Sequence, residues 1–275
     1  MRSRHHSHDG PSLGAIIGLI TAVLVLLVAM ASVAYFYLSK DEIDKGTGCK
    51  IEHSRLHVAS QVVFLVDVTD SMAADVADRL ESKIINEVGQ LSEGSLIEFY
   101  RLDDRIIKIS KSNKRFMHCI PRRPETARAL TDNERMLKKS FDKFFNAQLY
   151  PALQELTSPK ESLRSSPICE MIKAVAIEAF SRRDVDVRED RKLIIISDFM
   201  HNSPGKYSMY RDGFNFEKFR KSEYGSALLI DSPDLNMRGV EVELWFTKKM
   251  TQSNVKFWEK YFKLGYANVT RAERI

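Results

Sequence analysis

Asp67-Val68-Thr69-Asp70-Ser71 is the stretch whose residue types and spacing could do chemistry. A carboxylate and two hydroxyls at alternate positions can point the same way from a turn. Such hard oxygen donors suit Mg²⁺ or Mn²⁺ better than zinc or copper. A second carboxylate, Asp198, also follows an apolar run. Other reactive residue types carry less. Asp103 and Asp104 are adjacent, lack apolar shelter and read as turn formers. His201 stands in a loop with no partner in the sequence and reads as merely polar, while His5, His6 and His8 belong to a short charged tail. The three cysteines, Cys49, Cys119 and Cys169, are too few and odd in number for a disulfide framework. A pair between Cys119 and Cys169 stays open. No Ser-His-Asp arrangement, phosphate-binding Gly-rich loop or zinc motif is present.

The elements that must position the oxygen cluster can be read on either side of it. Val62 to Val66 is an unbroken apolar run, mostly β-branched, which suits a strand buried on both faces. After the cluster, Met72, Val76, Leu80, Ile84, Ile85 and Val88 follow one side of a helix. Asp67, Thr69 and Ser71 therefore fall in a strand-to-helix turn, at the edge where open α/β sheets bind ligands. The bland alternative is that Thr69, Asp70 and Ser71 only cap the helix. Leu193 to Ile196 predicts a second buried strand, running into Ser197 and Asp198. Two central parallel strands that each end in Asp bring both acids to one edge. Ser166-Pro167 predicts a helix start, with Ser at the cap and Pro in the first turn.

Asp67-x-Thr69-x-Ser71 resembles the Asp-x-Ser-x-Ser motif of von Willebrand factor A domains, with Thr for the first Ser. Ser166, Ile168 and Ile172 fit the frame in which that family carries its distant metal-site Thr, with Ser165 as a neighbouring alternative. Ser197-Asp198-Phe199 stands where the family has Thr-Asp-Gly, keeping the carboxylate and departing on both sides of it. The resemblance covers about 61–271. It implies a doubly wound, Rossmann-like α/β fold, mainly parallel with one antiparallel edge strand. It also implies a metal-ion-dependent adhesion site of Asp67, Thr69, Ser71, Ser166 and Asp198 holding Mg²⁺ (or Mn²⁺). In the family the ion leaves a position for an acidic residue of a protein partner.

The rest of the chain frames that domain. Residues 1–12 form a polar tail. Leu13 to Leu38 carries no charge and exceeds the roughly 20 residues that cross a bilayer, with Tyr35, Phe36 and Tyr37 suited to the water interface. Its length favours an uncleaved anchor over a signal peptide. Residues 39–60 read as a tether. Leu96 to Leu102 reads as a strand, and Arg105 to Ser110 as a half-exposed edge strand. An insertion at about 111–163 opens with a basic loop (Lys111, Lys114, Arg115, Arg122, Arg123) and continues as a helix from Asp132 to about Leu156, which Pro151 should kink. Met136, Leu137, Phe141, Phe144, Phe145, Leu149 and Leu153 would form its buried side. Later come a strand at Gly239 to Thr247, a helix at Val255 to Leu264 and a last strand at Tyr266 to Thr270.

Composition is that of a globular protein, with 44% hydrophobic and 29% charged residues, and a net charge of only +5 gives no ground for a nucleic-acid partner. The expected function is a membrane-tethered, Mg²⁺-dependent protein-binding module for adhesion or assembly, and not an enzyme. The domain is expected on the extracytoplasmic side because of that role. Arg2 and Arg4 before the anchor and Lys40, Lys45 and Lys50 after it leave the charge rule undecided. One rival is a Mg²⁺-dependent phosphatase or phosphotransferase of the haloacid-dehalogenase type. That type wants a second Asp where Thr69 stands, and its Lys loop and later acidic pair find no clear match. Another rival is a structural domain whose metal site has decayed.

Overall fold

A stretch free of charge and proline closes into one helix, α1 (Leu13–Leu38), in the computed structural model. The structure describes residues 13–38, 42–70, 72–102, 114–127, 132–158, 165–230 and 237–275. The 26 residues of α1 span about 39 Å at 1.5 Å per residue, beyond the ~30 Å of bilayer hydrocarbon. Thr21 and Ser32 each donate back to the carbonyl four residues earlier, so neither hydroxyl is left bare on an apolar surface. One helix is thus long and apolar enough to cross a membrane.

The remaining elements follow in order. First come β1 (Glu42–Ile43), β2 (Lys50–Glu52), β3 (Arg55–Val58) and β4 (Gln61–Asp67), then α2 (Ala74–Gln90), β5 (Leu96–Leu102) and β6 (Lys114–Cys119). Next are α3 (Glu134–Phe144), α4 (Tyr150–Thr157), α5 (Ile168–Val175), β7 (Val185–Val187) and β8 (Arg191–Ser197). Then follow β9 (Asn202–Ser203), β10 (Tyr207–Ser208), α6 (Met209–Asp212), α7 (Phe216–Lys221) and α8 (Glu223–Ala227). The chain closes with β11 (Val240–Phe246), α9 (Gln252–Leu264) and β12 (Asn268–Arg274).

Six strands make the main sheet in the order β12-β11-β8-β4-β5-β6. All neighbours run parallel except β5 and β6, which are antiparallel. Every residue of β4 and β5 is buried, as an apolar run flanked by helices requires. Alternation along β4 feeds two cores. Val63 and Leu65 pack with α5, α7 and α9, whereas Val62, Phe64 and Val66 pack with α2, α3 and α4. Helices therefore cover both faces, and the carboxyl ends of β4, β8 and β11 share one edge.

Several expectations need correction. The antiparallel edge strand is Lys114–Cys119, inside what reads as a basic loop; 103–113, including the strand expected at Arg105 to Ser110, lies outside the described residues. Arg122 is held by Asp132 at 2.8 Å, and Arg123 caps the end of α2 through the carbonyls of Gly89 and Leu91. These two cations serve the fold rather than a free basic surface. The helix expected from Asp132 is α3 and α4 joined by a π-helical turn, Phe145–Leu149, just before Pro151. The wider turn accommodates the missing N–H of proline. Met136 is exposed, not buried.

The stretch expected as a tether also differs. β2 pairs with β3, and β3 runs parallel to β7, so the compact unit is Ile43–Ile275. Cys49 is bonded to Cys119, with Cα atoms 5.0 Å apart, and Cys169 is the free, buried cysteine. Register brings that bond about: Cys119 lies opposite Leu96 at the end of β6, and its N–H donates to the carbonyl of Thr47.

Candidate metal centre

Asp67 is the last residue of β4, and its carboxylate gathers four donors. Thr69 gives its backbone N–H and its hydroxyl to Oδ1, at 2.9 and 2.6 Å. Ser166 and Ser197 give their hydroxyls to Oδ2, at 3.0 and 2.6 Å. All four residues are buried. The direction of these bonds matters. A hydroxyl that gives its proton to Asp67 keeps its lone pairs, which are what a hard cation needs.

Each hydroxyl is placed by backbone geometry. Thr69 sits two residues beyond the strand end, so its side chain turns back onto Asp67. Ser166 is stitched to the chain after β8 by reciprocal backbone bonds with Asn202, both 2.9 Å. The helix start expected at Ser166 is shifted by one residue. Pro167 flanks α5, and the Ser166 hydroxyl makes no cap bond there; it goes to Asp67. Ser197 ends β8, the strand beside β4, and its Oγ also accepts from the N–H of Phe199 at 2.9 Å.

Asp198 follows at once and is buried too. Its Oδ1 accepts from the N–H of Met200 at 2.8 Å, and its Oδ2 lies 3.2 Å from the ammonium of Lys248. Lys248 also bonds Asp70. Burial holds the Asp198 carboxyl above the ordinary aspartate range. The Met200 N–H opposes this, Asp67 adds to it, and Lys248 opposes it. Lys248 is itself raised above the ordinary lysine range: partial burial works against its charge, but Asp70 and Asp198 outweigh it. A cleft of about 160 Å³ opens here, lined by Asp67, Asp70, Met72, Ala73, Val76, Asp198, Thr247 and Lys248.

Phe199 has φ of 58°, the left-handed region in which glycine is at home. Phe therefore stands, under strain, in a conformation that suits the Gly of the Thr-Asp-Gly pattern. The conformation costs about 1–3 kcal/mol for such a residue. It is held by a ring buried against Phe246 and Trp258, at centroid distances of 4.3 and 5.7 Å.

Of the five residues expected at the metal site, Asp67, Thr69 and Ser166 are joined by hydrogen bonds, and Asp198 lies beside them at the same edge. Ser71 lies outside the described residues. Sequence reasoning missed Ser197 and Lys248. Ser197 carried a signal, since it precedes the second strand-end acid. Lys248 carried a fainter one, as the second residue past a third strand, β11, that ends at this edge. His201, read from the sequence as a merely polar loop residue, is buried. It stacks on Tyr224, its Nδ1 faces the N–H of Cys169 at 3.4 Å, and burial lowers its pKa to about 4. It takes no part in the oxygen cluster.

The donor set fits a hard cation: two carboxylates and three hydroxyls with oriented protons. Among the described residues, no group of three or more His, Cys, Asp or Glu is placed to hold a metal. Any ion here would depend on the hydroxyls.

No family model and no curated protein matches the sequence. The solved structures similar to the chain in part include two from Bacteroides species. One is the conserved hypothetical protein BatB from Bacteroides thetaiotaomicron, 12% identical, with a TM-score of 0.37, over 79% of this chain and 90% of that one. The other is an aerotolerance-related membrane protein from Bacteroides fragilis NCTC 9343 bearing multiple mutations to serines, 10% identical, with a TM-score of 0.33, over 79% and 92%. Likeness at this level carries no weight for the site.

Proposed function

We propose that this protein is a membrane-tethered binding module of the von Willebrand factor A type, doubly wound, whose sheet edge takes Mg²⁺ or Mn²⁺ and, through it, an acidic side chain of a protein partner. The observation that carries the reading is the set of hydroxyl protons converging on Asp67 from Thr69, Ser166 and Ser197. Asp67 orients the three oxygens, and Asp198 brings the second charge. Ser71, two residues beyond Thr69 in the sequence, joins the proposed ligands on the motif alone. A bound divalent cation supplies concentrated positive charge at an otherwise acidic edge. No residue is assigned a catalytic role. The test is a calorimetric titration of the full chain in detergent with Mg²⁺ and Mn²⁺. Wild type should bind, and Asp67→Asn should not; equal heats from the two would end the reading.

The same proposal puts the domain on the oxidising side of its membrane, because a Cys49–Cys119 bond persists there and is rare in the cytosol. In intact cells only Cys169 should remain a thiol, and it should react only after denaturation. Three reactive thiols per chain before any reductant is added would place the domain in the cytosol.

A further inference from the structure

We propose that Lys248 is a built-in counter-ion of this edge, its ammonium standing against Asp198 and Asp70 where a divalent cation would bring its charge, so that ion uptake is an exchange in which the lysine must leave. This rests on the cation-site reading above and adds its regulation. The geometry carries it. Lys248 leaves the end of β11, the strand next to β8, and lines the cleft together with Asp67, Asp70 and Asp198. Its Nζ is 3.2 Å from Asp198 Oδ2 and also bonds Asp70 Oδ2. The hydrogen bonds given to Asp67, by contrast, come from a backbone N–H and three uncharged hydroxyls, which orient it without neutralising it.

Two buried acids at one strand edge repel each other unless a cation lies near. The lysine meets that need in the absence of metal. It meets it reversibly, because its side chain is 55% exposed on a flexible four-carbon stem, and its other partner, Asp70, is 44% exposed. Both can swing into water together without disturbing the sheet. An ammonium left beside Asp198 would repel an incoming divalent ion, so exchange sets a threshold concentration for occupancy. Below it the edge is closed by its own charge; above it, the edge is open to an outside carboxylate.

The test uses the full chain in detergent as wild type, Lys248→Met and Lys248→Arg, each freed of metal with chelator. Calorimetric titration with Mg²⁺ should show Lys248→Met binding about tenfold more tightly than wild type, as expected for removing a like charge at contact distance. Lys248→Arg, which keeps the charge, should stay near wild type. Thermal melting supplies an independent readout. In chelator Lys248→Met should melt below wild type, and saturating Mg²⁺ should close the gap. Binding by Lys248→Met with none by wild type would also support the exchange, with the lysine as the usual occupant. Equal affinity in wild type and Lys248→Met would overturn the exchange and leave the cation site standing. No binding by any of the three proteins would overturn both.

Discussion

Asp67 at the end of β4 and Glu98 within the adjacent β5 are both buried carboxylates in one sheet, and their surroundings differ in kind. Glu98 accepts from the Gln61 amide at 3.0 Å and the Tyr100 hydroxyl at 2.9 Å, and it lies 3.8 Å from the Arg182 guanidinium. An amide and a guanidinium are donors whose nitrogens have nothing further to offer a cation. The Tyr100 hydroxyl sits deep among buried residues, with burial and Glu98 both raising its pKa. The cluster is closed. Around Asp67 three of the four donors are hydroxyls that each keep at least one lone pair, Ser197 giving one to the Phe199 N–H, and the carboxylate lines a cleft. On the proposed reading, the type of donor, more than the burial of the acid, separates a structural carboxylate from one that could serve an ion.

Substitution can break this comparison. The largest effect expected is on stability at the closed cluster. Glu98→Ala removes the acid while leaving Gln61, Tyr100 and Arg182 in place, and should lower unfolding free energy by roughly 2–4 kcal/mol, less than for a fully buried pair because Arg182 is partly exposed. Its Mg²⁺ affinity should not change. Urea denaturation with parallel calorimetry measures both, and a loss of ion affinity from Glu98→Ala would show that the two carboxylates are not separate. Ser197→Ala should behave the other way. It removes one hydroxyl from Asp67 and the acceptor for the Phe199 N–H, so stability should fall by only about 1 kcal/mol. Ion affinity should drop about tenfold, as for a residue that orients ligands. If Ser197→Ala costs stability alone, its hydroxyl is part of the scaffold, and the contrast with Glu98 fails.

Much of this could be read from the sequence, and the limits have physical reasons. Asp67 and Asp198 were legible because an apolar run followed by an acid has few meanings in a parallel sheet. Their adjacency follows from β4 pairing directly with β8. Ser166 was found through its helix-start pattern, yet its hydroxyl serves Asp67, because the bridge to Asn202 turns it away from the helix end. Lys248 was hidden because a lysine after a strand looks like any solvated charge until three strand ends are known to share an edge. Cys49 was hidden for a related reason. Its partner is 70 residues away, and only the register of β6 against β5 brings Cys119 to meet it. The edge strand Lys114–Cys119 was not foreseen because Phe116 and Met117 are adjacent, so the run lacks the strict alternation of a half-exposed strand.

The Cys49–Cys119 bond has a mechanical consequence. A pull on the chain from the side of α1 meets only the two-residue β1, which lies beside β2, before it reaches Cys49. There the tension passes covalently to Cys119 at the end of β6, and so into the edge of the six-stranded sheet. The short β2–β3 pair, which would unzip one hydrogen bond at a time, is bypassed. On the proposed reading, force from a partner gripping the Asp67 edge would likewise be shared across the parallel strands, with the short β2–β3 pair outside the line of traction.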